Sequence, residues 1–331
     1  MLPALEAPEF PLLNAFQRDF PLAPRPFAEI GARRGLTEAQ VLGAYRAALA
    51  EGVLSRIGVV FAPNVVGTST LAAMAVPPSR LEAVAEIVSA RPEVNHNYER
   101  EHRINLWFVA TASSQEALGA ALARIAEETA IPVLALPLVE EYHIDLGFDL
   151  VSHAAPRAPQ RAGAPARLDD MEKRLVAALA DGFALEPGPY AALARAADTS
   201  EGEVLATLAR WLAAGVVRRI GVVLHHRKLG YTANAMAVWD VPDAEVSQAG
   251  MRLARRPEIT LCYRRTRRPP DWPYNLYCMI HGRDRQEVLG QLEAIGREEG
   301  LADAPHEVLF SRRAFKQRGA RYAGGETGDE D

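Results

Sequence analysis

The 331-residue sequence predicts an α+β protein built as a tandem repeat, and three observations carry the prediction. The chain aligns with itself at a fixed offset, each copy switches from helical to strand periodicity at the same place, and an Ala/Pro/Arg-rich stretch lies between the copies. The offset is 163 residues, the step from Phe20 to Phe183. It sets "FPLAPRPFAEIG" (20–31) on "FALEPGPYAALA" (183–194) and "LAEGVLSRIGVV" (49–60) on "LAAGVVRRIGVV" (212–223), with no gap as far as Gly67 and Gly230. Farther on, "PEVNHNYERE" (92–101) matches "PEITLCYRRT" (257–266), and "INLWFVAT" (104–111) matches "YNLYCMIH" (274–281). The second copy carries extra residues between these segments, "RRPPDWP" being the evident insertion.

Each copy opens with helical spacing, at 12–20 and 27–55 in the first, broken at "PLAPRP" and "GLT". Thr37 precedes "EAQVLGAYRAALAEG" as an N-cap, since its hydroxyl can accept from an orphan N–H of the first turn, and Gly52 follows as a stop. Thr199 and Ser200 precede "EGEVLATLARWLAAG" in the second copy. Three helices with the last pair tightly joined predict a helix-turn-helix head. After Arg56 and Arg219 the pattern becomes strand-like, "RIGVVFA" and "RIGVVLH". In the first copy a helix then follows at "PSRLEAVAEIVSARP", two strands at "EVNHNYERE" and "RINLWFVAT", a helix at "SQEALGAALARIAEET" and a last strand at "VLALPLVEEYHI". That order, βαββαβ, is a ferredoxin-like sandwich. The expected domains are a first helix-turn-helix head at 10–55, a first ferredoxin-like domain at 56–150, a linker at 151–168 containing "HAAPRAPQRAGAPAR", a second head at 169–218, a second ferredoxin-like domain at 219–318, and a disordered tail at 319–331 ending "GGETGDED".

Composition removes several classes. A hydrophobic content of 49% suits ordinary globular domains, and no apolar run approaches the roughly 18 residues of a membrane span. The N-terminus "MLPALEAPEF" lacks the basic start and long apolar stretch of a signal peptide, so a cytoplasmic protein away from membranes is expected. Cys262 and Cys278 have no CxxC or Cys/His cluster around them, which favours reduced strand cysteines over a zinc site or disulfide. A helix-turn-helix invites the reading of a DNA-binding regulator, but duplex binding relies on several Lys/Arg–phosphate contacts. Residues 12–55 hold five basic and four acidic side chains, and 174–219 hold five and five. No nucleic-acid partner is expected, and the heads are read as packing and pairing modules.

Basic side chains gather instead in the second sandwich. Arg264, Arg265, Arg267 and Arg268 precede the "PPDW" turn, and Arg312, Arg313, Lys316, Arg318 and Arg321 lie at the last strand and beyond. Strand alternation puts Tyr263 and Arg265 on one face, and Asn275, Tyr277, Met279 and His281 on one face of the next strand. In the first copy it aligns His96, Tyr98 and Arg100, then Asn105 and Trp107. Arginine forks bind carboxylates and aromatic faces cover flat apolar rings, so this set suits a large, planar, polyanionic ligand. The alternative is structural: a solvated or subunit-contact arginine face, pairing of "EEYHID" with "RRAFK", and aromatic strands serving as core.

The chain resembles a known family in several long strings. The order of head and sandwich looks like the Lrp/AsnC regulators. More specifically, "RIGVVFAPNVVG", "EVNHNYEREHRINLWFVAT" and "EYHIDLGF" in the first copy, with "RRIGVVLHHRKLGYTANAMAVWDVP", "ITLCYRRTRRPPDWPYNLYCMIHGRDR" and "LFSRRAFKQRGARY" in the second, resemble the siroheme decarboxylases of heme d1 biosynthesis. The resemblance covers roughly residues 10–322 and implies a fusion of two subunit types that elsewhere are separate chains. It implies siroheme as substrate, loss of carbon dioxide from the C12 and C18 acetates to give 12,18-didecarboxysiroheme, and no cofactor, since the iron belongs to the substrate. The alternative is a tetrapyrrole-binding or sensing regulator without catalysis. Under this resemblance Arg264, Arg265, Arg267, Arg268, Arg100 and Lys316 grip carboxylates, with Tyr274, Asn275 and Tyr277 beside them. His226, His225 and His96 become candidates for proton donation, with Tyr98 and Tyr263 as hydrogen-bond donors, and His226 or His96 the candidate ligand of the siroheme iron. The two halves are expected to pair as a pseudo-dimer, with a homodimer of chains and contacts with other heme d1 enzymes as further partners.

Overall fold

The computed structural model describes residues 10–144, Gly147 and 166–322. The expected linker up to Pro165 and the acidic end of the tail lie outside the described residues. The first head comprises α1 (Phe10–Ala15), α2 (Pro26–Arg34) and α3 (Glu38–Ala50). Gly35, at φ 67°, ends α2 in the left-handed conformation that a side chain would strain. Thr37 then starts α3 with a capping box: its hydroxyl accepts from the Gln40 N–H while the Gln40 side chain accepts from the Thr37 N–H. In the second copy α6 (Asp170–Ala178), α7 (Pro189–Ala197) and α8 (Glu201–Ala213) repeat the arrangement. One core joins both heads, with Phe27, Tyr45, Tyr190 and Trp211 buried in it.

The structure corrects the first strand of each sandwich. "RIGVVFA" and "RIGVVLH" form β1 (Leu54–Phe61) and β6 (Val217–Leu224), which leave the sandwiches and pair with each other in a two-stranded antiparallel sheet, Gly58 opposite Gly221. The sandwiches begin one strand later. The first runs β2 (Thr68–Met74), α4 (Leu81–Ala90), β3 (Val94–Arg100), β4 (Leu106–Ala112), α5 (Gln115–Thr129) and β5 (Leu134–Ile144). The second runs β7 (Ala233–Trp239), α9 (Val246–Leu253), β8 (Ile259–Arg265), β9 (Leu276–Gly282), α10 (Arg285–Glu298) and β10 (His306–Gln317). The βαββαβ order thus holds with "TSTLAAM" and "ANAMAVW" in first place.

Each last strand is long because it serves both halves. Leu134–Pro137 of β5 pair with β2, and Leu138–Ile144 cross over to β8; His306–Phe310 of β10 pair with β7, and Ser311–Gln317 cross to β3. The two four-stranded sheets therefore close into one eight-stranded barrel. Outward faces of the sheets pack under α4 and α5 or α9 and α10. Inward faces contribute Trp107, Met236, Tyr263, Tyr277 and Leu309, joined by Trp272 from the inserted turn. Trp272 is fully buried against Trp107, at 5.0 Å between ring centres, and its indole N–H donates to the Tyr277 hydroxyl at 2.6 Å. Cys262 and Cys278 face each other across β8 and β9 as buried free thiols, 3.3 Å between sulfurs. No helix among the described residues is long and apolar enough to cross a membrane.

Candidate active site

One mouth of the barrel collects the histidines. Because β3 is pleated, His96, Tyr98 and Arg100 point inward while Asn97 reaches back to α4. On β9 the same alternation turns Tyr277, Met279 and His281 inward. The turn after β6 lies over this mouth and brings His226 to His281, ring centres 5.5 Å apart. His225 Nδ1 is 3.1 Å from Gln317 Oε1, and Gln317 stands opposite His96 in the β10–β3 register. His96 Nδ1 lies 3.2 Å from the Tyr98 hydroxyl, and His281 Nδ1 lies 2.9 Å from Thr260 Oγ1. Arg100 donates to the Leu309 carbonyl at 3.0 Å, and its guanidinium sits 5.9 Å from the Tyr98 ring centre. His96, Tyr98, His226 and His281 lie deep in the protein yet each keeps part of its surface open.

The electrostatics of this mouth are those of an anion site. Burial, helped by Arg56 and His225, pushes His96 down to about 4. Burial with Arg219 and His225 takes His226 to about 4, and burial with His226 and Arg100 takes His281 to about 3. Removing a cation from water next to other cations costs free energy, so the imidazoles stay neutral and keep a ring-nitrogen lone pair for an iron or a proton. Burial raises the Tyr98 hydroxyl to about 12, leaving it a hydrogen-bond donor at neutral pH.

Only part of the arginine-rich hairpin turns toward the interior. Arg265 does: it donates to the Leu136 carbonyl at 2.7 Å and lies 4.5 Å from the ring centre of Tyr263, which stacks on Tyr277. Arg264 and Arg267 converge on Asp243, Arg267 also binds Asp240 at 2.6 Å, and Arg268 donates to the Ala135 carbonyl at 3.0 Å. These three fasten the inserted turn to the barrel. Asn275 fastens the chain at Val241, accepting from its N–H and donating to its carbonyl, as Asn105 does at Val76. Tyr274 packs on Trp272 at 4.9 Å. Lys316 donates to the carbonyls of Ser89 and Arg91 at the C-terminal end of α4, and burial draws its ammonium down to about 8. The hydrophobic and charged pattern could not separate these roles, because alternation gives a face and not a partner.

Among the described residues "EEYHID" does not pair with "RRAFK": Glu141 binds Arg218, and Arg312 and Arg313 bind Glu99. Two residues join the histidine mouth without a role assigned from sequence. His281 was legible as inward by strand parity with Tyr277, whereas the approach of Arg56 to His96 depends on β1 leaving the sandwich.

A helix-turn-helix head on an AsnC-like sandwich, doubled in one chain and closed around a His/Tyr/Arg mouth, defines a ligand-binding α+β protein of the Lrp/AsnC class. The AsnC-like ligand binding domain matches residues 66–143 and 228–316, and the siroheme decarboxylase NirDL-like helix-turn-helix domain matches 11–54 and 172–218. The siroheme decarboxylase NirDL subunit of Paracoccus denitrificans (strain Pd 1222) is 45% identical over 315 residues, spanning 94% of this chain and 96% of its own. The NirL subunit of Stutzerimonas stutzeri is 48% identical over 145 residues, 44% of this chain and 85% of its own. The crystal structure of the siroheme decarboxylase NirDL in co-complex with an iron-uroporphyrin III analogue superposes with a TM-score of 0.66 at 30% identity, covering 94% of this chain and 93% of that one. The chain belongs to the NirDL siroheme decarboxylase family.

Proposed function

We propose that this chain decarboxylates siroheme, converting its C12 and C18 acetate side chains to methyl groups. The observation that supports this reading best is the single mouth where His96, His226, His281, Tyr98 and Arg100 converge in a chain of this family. For each acetate, the bond between the methylene carbon and the carboxylate breaks, carbon dioxide leaves, and the electron pair spreads into the macrocycle until one proton reaches that carbon. Arg100 and Arg56 supply the positive charge for peripheral carboxylates. The Tyr98 hydroxyl donates a hydrogen bond. Carboxylates entering the mouth offset the nearby guanidinium charges, raise the histidine pKa values toward neutrality, and let one imidazole carry the proton. Another imidazole, His226 or His96, then serves as ligand to the substrate iron. No partner protein or nucleic acid is required by this chemistry.

Anaerobic incubation of the purified chain with siroheme, followed by mass spectrometry, tests the reading. Two successive losses of carbon dioxide are expected, with a slower reaction in His96→Ala and His226→Ala. A chain that binds siroheme and returns it unchanged is the regulator or carrier instead.

A further inference from the structure

The pseudo-two-fold of the barrel makes a second mouth, and its residues correspond to the first position by position. Along β8, Leu261, Tyr263 and Arg265 take the places of His96, Tyr98 and Arg100. On β4, Thr111 takes the place of His281, and after β1 Ala62 and Pro63 take the places of His225 and His226. All four histidines of the first mouth are therefore missing from the second. Two further exchanges add groups to it. Opposite Tyr98 in the first mouth stands Ala314, but opposite Tyr263 in the second stands Glu141. At the head-to-strand junction Ser55 of the first copy becomes Arg218 in the second. The two added side chains meet: Arg218 donates to Glu141 at 2.7 Å, with side-chain exposures of only 10% and 13%.

The surroundings of the pair are filled. Tyr263 and Thr111 are buried, whereas their counterparts Tyr98 and His281 stay partly open; Arg265 runs the other way, being more open than Arg100. We propose that the Glu141–Arg218 ion pair plugs the second mouth with an internal carboxylate and confines tetrapyrrole binding to the histidine mouth, one molecule per chain. The inference rests on the proposed function. The physical basis is competition: Glu141 already neutralises the local guanidinium without the loss of freedom that a free ligand incurs, and its charge repels a polyanion. Breaking the pair by removing one partner leaves the other charge buried.

The number of sites on the full chain tests the plug. Iron uroporphyrin is titrated anaerobically and followed by absorbance and native mass spectrometry, with the parent expected to saturate at one molecule per chain. The double variant Glu141→Ala with Arg218→Ser installs the pair that the first mouth has, and is expected to saturate at two with siroheme turnover per chain unchanged. Should the double variant fold poorly by circular dichroism, Glu141→Gln keeps the shape and removes the charge, and a second, weaker equivalent is expected. A parent that takes up two molecules overturns the plug, as does a folded variant that stops at one. A parent that binds none refutes the functional reading beneath it instead.

Discussion

Lowering the pH from about 7 to about 5 should destabilise this protein through its histidine mouth. The unfolded chain holds His96, His226 and His281 near the ordinary histidine value, while the fold holds them at about 4, about 4 and about 3. Below the unfolded value the denatured chain binds protons that the native state refuses, so stability is complete above about pH 6.5 and falls as pH drops toward the folded values. At pH 5 each histidine accounts for about 2 kcal/mol, from roughly 1.36 kcal/mol per pH unit over the 1.5 units below the unfolded value. The three together approach about 6 kcal/mol, against a total stability of typically about 5–15 kcal/mol. Urea unfolding at both pH values measures the loss, and His281→Gln isolates one share: its drop should be smaller than the parent's by about 2 kcal/mol. Bound tetrapyrrole, with its carboxylates near the imidazoles, should shrink the loss in the parent. A parent whose urea midpoint is the same at both pH values, or a His281→Gln chain that loses as much as the parent, would refute the picture of three imidazoles held neutral by burial.

Two further outcomes separate the arginines and the inserted turn. Arg100→Ala should weaken tetrapyrrole binding by about 1.5–3 kcal/mol, while Arg264→Ala, which loses only its contact with Asp243, should leave binding as in the parent; calorimetric titration of both distinguishes the inward guanidinium from the one that holds the hairpin. Trp272→Ala should cost about 3–5 kcal/mol in urea unfolding, because it empties a fully buried site between Trp107 and Tyr274 and removes the donor to Tyr277, whereas an unchanged midpoint would show that the inserted turn does not fill the barrel.

The duplication, the helical heads and the inward faces are legible in the amino-acid order alone. These are local properties: the capping box at Thr37 forms within four residues, and the alternation that turns His96, Tyr98 and Arg100 to one side needs only a pleated strand. That order could not decide which strand opens each sandwich, because "RIGVVFA" and "TSTLAAM" both suit a buried strand and only pairing with a segment from the other half draws the first away. Nor could it separate Arg265 from Arg264, Arg267 and Arg268, since which of them meets Asp240 and Asp243 depends on how β7 and the inserted turn are brought together. The histidine mouth itself is tertiary. It exists because β10 crosses from β7 to β3 and carries Gln317 beside His96 and His225, contacts across 92 and more residues whose register is fixed by closing the barrel and burying its inward aromatic side chains.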